Sequence, residues 1–410
     1  MTEKKLVPKR RFEGFTSDWT VRNLGEILDL LKDGTHGTHR NVEAGIYLLS
    51  AKNIKNGKVN IDSTDRLISR EEYEKIHRNF ELRSGDILLT VVGSIGQAAI
   101  LQRNIDFTFQ RSVAYLRPNR EIESNFLYTM VRSNYFQWEL KNRQVVSAQP
   151  GIYLGDLSKI PIAFPVLKEQ QKIGNFFKHL DQMISVEQHK LEKTKALKAA
   201  YLAEMFPAGG ERVPKRRFPG FTGEWDEVKL KDISEIVGGG TPSSNIEEFW
   251  NGDIDWYSPT EIGNEIYANN SVRKITKIGY EKSSAKMLPA DKTILFTSRA
   301  GIGSMAILKK QASTNQGFQS IVLKSGVDTY FIYSMGYLIK SYAISKSSGS
   351  TFLEISGKTL GEMPIVVPSF EEQLKIGEFF KKLDESITNN QQKLSKLKAM
   401  KQAYLEEMFV

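Results

Sequence analysis

The stretch PVLKEQQKIGNFFKHLD at residues 165–181 returns as PSFEEQLKIGEFFKKLD at residues 368–384, an offset of 203 (368 − 165). Two further blocks repeat around it. VPKRRFEGFTSDW at 7–19 returns as VPKRRFPGFTGEW at 213–225, and KALKAAYLAEMF at 195–206 returns as KAMKQAYLEEMF at 398–409. Between these blocks the two copies share only scattered residues. The chain is therefore an internal duplication that keeps a common frame and varies the middle of each copy.

The repeated stretch opens a long amphipathic helix in each copy. Between Glu169 and Met205 there is no proline and Gly174 is the single glycine, while Pro165 and Pro368 stand just ahead of the two helix starts. Apolar residues recur largely at steps of three, four and seven, which is typical of coiled coils. A helix of about 37 residues would be roughly 55 Å long. The residues predicted to pack between helices or subunits are Ile173, Phe176, Phe177, Leu180, Ile184, Leu191, Ile376, Phe379, Phe380, Leu383, Ile387 and Leu394.

Two helices with one apolar stripe each bury those stripes most simply against each other. If a two-fold axis perpendicular to the helices relates the copies, the pair is antiparallel. Glu187 and its repeat equivalent Asn390 place a polar step in the two stripes. Buried polar residues can fix the register of a coiled coil. The alternative, that both side chains face solvent, stays open from the sequence.

The middle of each copy shows short β-branched or aromatic runs broken by turn residues, such as 85–93 and 292–298. Helical spacing of apolar residues appears at 125–140 and 330–344. The predicted fold class is α+β, with two mixed domains separated by two long helices in an antiparallel coiled coil with pseudo-two-fold symmetry. The predicted division is a first variable domain at 1–163, a helix at 164–206, a second variable domain at 207–366 and a helix at 367–410.

Composition limits the classes of function. The 410 residues suffice for two domains with sizeable cores, and a net charge of +9 favours a polyanionic partner such as nucleic acid. A merely basic protein is the alternative. The absence of cysteine excludes disulfides and thiolate metal sites and fits a cytoplasmic location. The sequence has neither a signal-peptide pattern nor an apolar run long enough for a membrane helix.

Motifs for catalysis are absent from the sequence. It contains no H-E-x-x-H zinc motif and no Asp- or Asn-Pro-Pro-aromatic motif of an adenine methyltransferase. His36 and His39 lack further evident metal ligands, so no metal site is predicted. Gly301-Ile302-Gly303 resembles a dinucleotide fingerprint, but the first copy loses its first glycine, and a glycine turn after a strand is the better interpretation. Any catalysis is expected to come from another protein.

Two variable domains, each followed by a nearly identical long helix with P-x-x-x-E-Q-x-K-I-G-x-F-F-K-x-L-D at the junction, resemble the specificity subunit of a type I restriction–modification system. The resemblance covers essentially the whole chain. Asp33-Gly34-Thr35-His36-Gly37-Thr38 and Gly239-Gly240-Thr241-Pro242 are similar to segments near the start of such domains. The resemblance implies two target recognition domains, each reading half of a split, asymmetric DNA sequence, and helices that set the spacer length.

The resemblance also implies partners and cofactors. We expect double-stranded DNA, two modification subunits that methylate adenine, and restriction/translocase subunits in the full complex. The chain itself is expected to be non-catalytic and to hold no cofactor, whereas S-adenosylmethionine, ATP and magnesium belong to the partner subunits. Two alternatives remain: a coiled-coil adaptor without sequence-specific DNA binding, and a stand-alone DNA-modifying enzyme, against which the missing motifs count heavily.

Loops at strand ends are the predicted DNA-reading elements, because a sheet can hold them while they enter a groove. Arginine suits guanine, and glutamine or asparagine suits adenine. For any single residue, an ordinary turn or solvated polar side chain is the alternative. The candidates are Thr35, His36, Lys52, Asn53, Ser94, Gln110 and Arg111 in the first domain, and Thr241, Ser243, Thr260, Ser298, Arg299, Asn315 and Gln316 in the second. The repeated Lys-Arg-Arg clusters are expected to serve the frame or phosphate contacts.

Overall fold

A computed structural model describes residues 7–103, 106–145, 150–299, 301–349 and 353–409. The chain forms two compact units. The first unit contains the described residues up to His189 together with those from Gln392 onward, and the second unit contains Lys190–Gln391. The predicted linear division differs from these units, because each long helix contributes one segment to the first unit and one to the second.

The first unit is a mixed α+β domain. Its central antiparallel sheet has the order β2-β10-β7-β8, a second sheet has the order β6-β3-β9, and two strand pairs, β1-β11 and β4-β5, complete it. The strands are β1 Thr20–Asn23, β2 Leu28–Asp33, β3 Ile46–Leu49, β4 Ile54–Lys55, β5 Lys58–Val59, β6 Arg66–Ile68, β7 Ile87–Thr90, β8 Ala98–Ile100, β9 Phe107–Phe109, β10 Val113–Pro118 and β11 Pro161–Phe164. The helices are α1 Arg70–Ile76, α2 Ser124–Met130, α3 Asn134–Asn142, α4 Leu154–Leu157 and the long helix α5 Leu167–Met205.

The second unit has the same class of architecture. Its main sheet has the order β13-β20-β17-β18-β15, a smaller sheet has the order β16-β14-β19, and β12 pairs with β21. The strands are β12 Asp226–Lys229, β13 Ser234–Gly238, β14 Trp250–Tyr257, β15 Tyr267–Ala268, β16 Arg273–Ile275, β17 Thr293–Phe296, β18 Met305–Leu308, β19 Ser313–Thr314, β20 Gln319–Leu323 and β21 Pro364–Val367. The helices are α6 Leu230–Ile233, α7 Lys277–Glu281, α8 Thr329–Ser334, α9 Gly336–Lys346, α10 Gly357–Gly361 and the long helix α11 Phe370–Glu407.

The predicted strands within 85–93 and 292–298 are β7 and β17, whose side chains are all buried. Each runs into a glycine turn and returns as the next strand, which confirms the glycine-turn interpretation. The helical stretches predicted at 125–140 and 330–344 are each two helices instead of one. In the first unit the break occurs because the Ser133 hydroxyl accepts a hydrogen bond from the Phe136 N–H and starts α3 anew.

The long helices pair antiparallel within each unit, as predicted. In the first unit the Phe176 ring packs on Tyr404 at 4.9 Å and Asp181 pairs with Lys401 at 2.5 Å, so partners descend along α11 as α5 ascends. The second unit repeats this arrangement, with Phe379 against Tyr201 at 4.9 Å and Asp384 paired with Lys198 at 2.5 Å. These contacts are equivalent under the 203-residue offset. The side-chain packing of the frame therefore follows its pseudo-symmetry.

The junction motif fixes the start of each long helix. Gln170 donates from Nε2 to the Pro165 carbonyl at 2.8 Å and accepts from the Glu123 N–H at 3.0 Å. Its equivalent Gln373 donates to the Pro368 carbonyl at 3.0 Å. The motif therefore ties the helix start both to its own leading proline and to the preceding domain.

The glutamate of the motif explains the Lys-Arg-Arg clusters. Arg11 donates to both carboxylate oxygens of Glu169 at 2.8 and 2.6 Å, and Arg217 does the same to Glu372 at 2.7 Å for both bonds. Both glutamates are fully buried. This cluster arginine thus belongs to the frame, one of the two roles that the sequence leaves open.

The polar step of each stripe is buried. Glu187 is 3% exposed and Asn390 is 5% exposed, which rules out the solvent-facing alternative. Glu187 forms an ion pair with Lys393 at 2.8 Å across the helix pair of the first unit. The buried Glu187 carboxylate needs the Lys393 ammonium group as its counter-charge. Burial of Glu187 therefore favours the helix register in which Lys393 lies opposite Glu187.

The other predicted packing residues are also shielded from solvent. Ile173, Phe177, Leu180, Leu191, Ile376, Phe380 and Leu394 are buried, while Phe176, Ile184, Phe379, Leu383 and Ile387 are partly buried. None of the helices within the described ranges combines the length and hydrophobicity that crossing a membrane requires.

Candidate nucleic-acid interface

In the first unit, the loop that follows β2 passes directly over the end of β9. A Cβ on Gly34 would lie 2.2 Å from the Phe109 carbonyl oxygen, so only glycine fits at this crossing. The Thr35 N–H donates to the Phe109 carbonyl at 2.8 Å, and the Arg111 N–H donates to the Thr35 carbonyl at 3.0 Å. These bonds bring Thr35, Gln110 and Arg111 together as the first loop cluster.

The backbone beneath the first loop cluster is held from the core. The buried Tyr115 hydroxyl accepts a hydrogen bond from the Phe109 N–H at 3.0 Å, and burial raises the pKa of Tyr115 to about 12. The Gln110 N–H donates to the Leu49 carbonyl at 2.8 Å, which connects the cluster to the loop after β3. Because its pKa lies far above physiological pH, the Tyr115 phenol stays neutral there and holds the end of β9 in place.

Two predicted residues lie on the loop after β3. The exposed Lys52 pairs with the buried Asp65 at 2.7 Å. Burial by itself would raise the pKa of Asp65, but hydrogen bonds from Lys52, the Asp62 N–H and Asn53 outweigh burial and lower that pKa. Asn53 is 4% exposed, and its amide bonds to the Ser50 N–H, the Asn60 carbonyl and Asp65. The hydrogen-bonding groups of Asn53 are used inside the unit, so the structure gives it a role in holding this loop, and its contact with DNA stays a prediction.

Two further candidates of the first unit are exposed. His36 lies beside Asp33, with Nε2 at 2.5 Å from Oδ2. Ser94 stands in the turn between β7 and β8, where Gly93 and Gly96 have φ of 80° and 90°. The Ser94 carbonyl accepts a hydrogen bond from the Thr90 hydroxyl, which fixes the turn, and Ser94 itself is exposed.

The second unit repeats the loop crossing with different side chains. A Cβ on Gly239 would lie 1.9 Å from the Asn315 carbonyl oxygen. The Gly240 N–H donates to the Thr314 carbonyl at 2.9 Å, and the Thr241 hydroxyl bonds to the Gln316 side chain. Thr241, Asn315 and Gln316 are therefore brought together as the second loop cluster.

Arg299 and Thr260 border the second loop cluster. A Cβ on Gly317 would meet Pro259 Cγ at 2.8 Å and Arg299 Nε at 3.5 Å, so the turns around Pro259, Arg299 and Gly317 touch each other. Thr260 is exposed and its hydroxyl lies 3.0 Å from that of Ser258. Ser243 is also exposed, on the loop that carries Thr241.

Ser298 is not a surface residue. It is fully buried, its N–H donates to the Gly317 carbonyl at 2.8 Å, and its carbonyl accepts from the Ile355 N–H at 3.1 Å. Ser298 joins the β17 turn to its two neighbouring loops, and its contact with DNA stays a prediction. Ser298 supports Arg299.

Each loop cluster contains or borders an arginine whose positive charge is not paired with another side chain of the described ranges. Within the described ranges, neither Arg111 nor Arg299 makes a side-chain hydrogen bond or an ion pair, in contrast to Arg11 and Arg217 of the frame. Arg40 is a third such cation, exposed on the loop after β2, and sequence reasoning missed it. The signal was its place in the same polar loop as His36. Free guanidinium groups can donate in pairs to phosphates or to guanine.

The described residues provide no metal site, because no three His, Asp or Glu side chains come together in a group that could hold an ion. His39, a possible ligand from the sequence, instead bonds to Thr35 and Glu72 at 2.7 Å each. Both clusters place hydrogen-bond donors and acceptors at strand ends, an arrangement suited to binding.

Comparisons with known proteins agree with this arrangement. The model of a family described as type I restriction modification DNA specificity domain matches residues 16–196 and again 222–399. The type I restriction enzyme MjaIX specificity subunit of Methanocaldococcus jannaschii is 43% identical over 173 residues, covering 40% of this chain and 39% of that protein. The putative type I restriction enzyme MjaX specificity subunit of the same organism is 26% identical over 388 residues, covering 90% of this chain and 88% of that protein.

A solved structure has the same fold. The crystal structure of a type I restriction-modification system S subunit from M. genitalium matches with a TM-score of 0.66 at 18% identity, covering 99% of both chains. At this identity the likeness concerns the fold alone. The family model, however, matches one range in each copy, and the two ranges together make up most of the chain. Each matched range contains one of the two loop clusters. The chain thus belongs to the family of type I restriction-modification DNA specificity subunits.

Proposed function

We propose that this chain reads a split, asymmetric DNA sequence without catalysing a reaction itself, as the specificity subunit of a type I complex. Each unit reads one half-site through its loop cluster. The observation that carries the proposal is the repeated backbone crossing at Gly34 and Gly239, which presents Gln110 and Arg111 in one unit but Asn315 and Gln316 in the other. One construction with two sets of side chains suits two unrelated half-sites.

The chemistry of the clusters supports reading in the major groove. Each base pair presents a distinct pattern of hydrogen-bond donors and acceptors there. Arg111 and Arg299 suit guanine, while the Gln110, Asn315 and Gln316 amides suit adenine or combinations of donor and acceptor. The net charge of +9 supplies the attraction to phosphate that every DNA-binding protein needs.

We further propose that the long helices dock two modification subunits and set the spacer between half-sites. Exposed apolar side chains on these helices support docking: Met183 is 48% exposed, Val186 67%, Leu197 44% and Met400 39%. S-adenosylmethionine would be bound by the modification subunits, and ATP and magnesium by the restriction/translocase subunits. This division assigns binding to the present chain and chemistry to its partners.

The test is adenine methylation across the genome of a methylation-free bacterial host. The chain is expressed with its modification subunit, and each protein is also expressed alone. A split motif that appears only with both proteins is the expected result, and exchange of residues 20–160 should change one half of it. Methylation by the chain alone would refute the non-catalytic assignment. Absence of any motif from a complex that co-purifies would refute sequence reading.

Single variants sharpen this test. Arg111→Ala should relax base preference in one half-site only, and Arg299→Ala in the other half-site only. Arg22→Ala is the matched control, because Arg22 is exposed and pairs with Glu121 on the surface. Salt titration of DNA binding separates reading from a pure adaptor role, since phosphate contacts make affinity fall steeply with ionic strength. An adaptor would show no such slope.

A further inference from the structure

The first loop cluster depends on a histidine that the proposed function does not use directly. His39 Nε2 lies 2.7 Å from the Thr35 hydroxyl, and Nδ1 lies 2.7 Å from Glu72 Oε1 on helix α1. The His39 side chain is only 6% exposed. Both ring nitrogens are thus occupied within the unit, so His39 is not itself available to bind DNA.

The partners of His39 determine where its protons lie. A carboxylate only accepts hydrogen bonds, so the Nδ1 facing Glu72 carries a proton. In the neutral imidazole, Nε2 then accepts, and the Thr35 hydroxyl must donate to it. The hydroxyl hydrogen of Thr35 then points toward Nε2, and the two lone pairs of the hydroxyl oxygen are left to accept a hydrogen bond from a ligand.

We propose that His39 is a positioning residue of the first recognition domain, which holds Thr35 as a fixed hydrogen-bond acceptor toward DNA. This inference rests on the proposed function. A fixed acceptor recognises a donor, and the donors of the major groove are the exocyclic amino groups of adenine N6 and cytosine N4. Thr35 therefore contacts such an amino group at one position of the first half-site.

The loop around His39 is held at several further points. Arg66 donates from Nη2 to the His39 carbonyl at 2.6 Å and from Nε to Asn41 Oδ1 at 2.7 Å. The Val42 N–H donates to the Leu67 carbonyl at 3.0 Å. With Gly34 fixed at the start of the loop, the backbone that carries Thr35 and His39 is held in place at both ends.

The equivalent loop of the second unit is held by different groups. Trp256 Nε1 donates to the Gly240 carbonyl at 2.9 Å, and Trp250 Nε1 donates to the Ser243 carbonyl at 3.1 Å. Thr241 bonds to Gln316 rather than to a histidine. Loss of His39 should therefore affect the first half-site and leave the second half-site unchanged, which provides an internal control.

The experiment compares His39→Gln with His39→Asn in the complex of the full chain with its modification subunit. The glutamine amide reaches the place of Nε2 and can keep the Thr35 bond, whereas the asparagine amide reaches the place of Nδ1 and keeps only Glu72. Glu72→Gln and its neighbour Glu71→Gln, which pairs with Lys75 on the surface, form a second matched pair. The readout is the base preference at each position of the methylated motif.

We expect His39→Asn to lower base discrimination about tenfold at one position of the first half-site, as loss of one fixed hydrogen bond would. His39→Gln and Glu71→Gln should keep the wild-type motif. Thr35→Val, which removes the hydroxyl and keeps the shape, should relax the same position even if the histidine variants fold poorly. The wild-type complex should bind a duplex that lacks the amino group at that position more weakly than the intact duplex. The Thr35→Val complex should bind the two duplexes equally.

Several outcomes overturn the inference. Full discrimination in His39→Asn or Thr35→Val would exclude the positioning role. Equal loss at both half-sites would indicate general damage to the fold. If the wild-type complex yields no split motif at all, the proposed function fails and this inference fails with it. A wild-type motif with unaffected variants refutes the role of His39 alone.

Discussion

Arg11→Met should destabilise the first unit far more than Arg10→Met, although the two arginines are neighbours in a repeated cluster. Arg11 donates to both oxygens of Glu169, with side-chain exposures of 9% for the arginine and 0% for the glutamate. Removing the arginine leaves a buried carboxylate without its counter-charge. Breaking a buried pair in this way costs about 3–5 kcal/mol.

Arg10 provides the matched control. It pairs with Glu407, but the side-chain exposures are 54% and 38%. Ion pairs this exposed contribute little to the free energy of unfolding, because water screens the two charges. A double variant, Arg11→Met with Glu169→Leu, should recover most of the loss, because replacing both members of a buried pair by apolar residues is often close to neutral.

Urea unfolding followed by hydrogen exchange at peptide resolution measures each unit separately. With an m value of about 2–3 kcal/mol per M for a unit of this size, a loss of about 3–5 kcal/mol lowers the midpoint of the first unit by roughly 1–2.5 M. The midpoint of the second unit serves as the reference within the same molecule. Equal shifts for Arg10→Met and Arg11→Met would refute the reasoning that burial decides the contribution of these arginines.

Three further outcomes are expected. Gly174→Ala should lower the unfolding midpoint of the first unit, because its Cβ would lie 2.4 Å from Glu123 Oε2, whereas Gly155→Ala, with open space around it, should not. Asn125→Tyr should raise the free energy of unfolding of the first unit by about 1 kcal/mol, because Asn125 lines a cavity of about 460 Å³ and its equivalent in the second unit, Tyr330, bonds to Asp384; an unchanged midpoint would contradict this. Burial lowers the pKa of His77 to about 4, so the unfolded chain takes up a proton that the folded one does not as pH falls below 6.5. Stability of the first unit should therefore decline as the pH falls from 6.5 toward 4, and His77→Phe should flatten that decline in urea midpoints measured across pH.

The frame of this fold is largely visible in the sequence, because the periodic stripes and the duplication are long-range regularities. The long helices, their antiparallel pairing and the α+β class of the variable domains are confirmed. The breaks between α2 and α3 and between α8 and α9 were not predicted, since a local cap at Ser133 overrides a helical spacing that continues through it. The periodicity of apolar residues indicates which face of a helix is buried. It does not indicate where one helix ends and the next begins its own backbone hydrogen bonds.

The loop clusters could be predicted only in part. The turn residues Thr35, Gln110 and Arg111 are indicated by strand ends, and the structure brings them together. Asn53 and Ser298 have the same polar character in the sequence but are buried by partners distant along the chain, Asp65 and Gly317. A polar side chain in a turn is satisfied either by solvent or by the fold, and its identity does not say which. For all of the candidates, contact with DNA stays a prediction.

The pattern of repetition follows from how each unit is closed. In the first unit, the end of the long helix of the second copy completes the helix pair, and Phe409 packs on Phe177 at 5.9 Å. In the second unit, the end of the long helix of the first copy does so, and Phe206 packs on Phe380 at 5.7 Å. A change at the start of one long helix must therefore suit the end of the other, as Asp181 must suit Lys401. This mutual constraint keeps the two frames alike. The loop clusters differ, because among the described residues the hydrogen bonds that hold Thr35 and Thr241 come from the same unit as each threonine. Each half-site can therefore change by alterations within one unit while the frame is preserved.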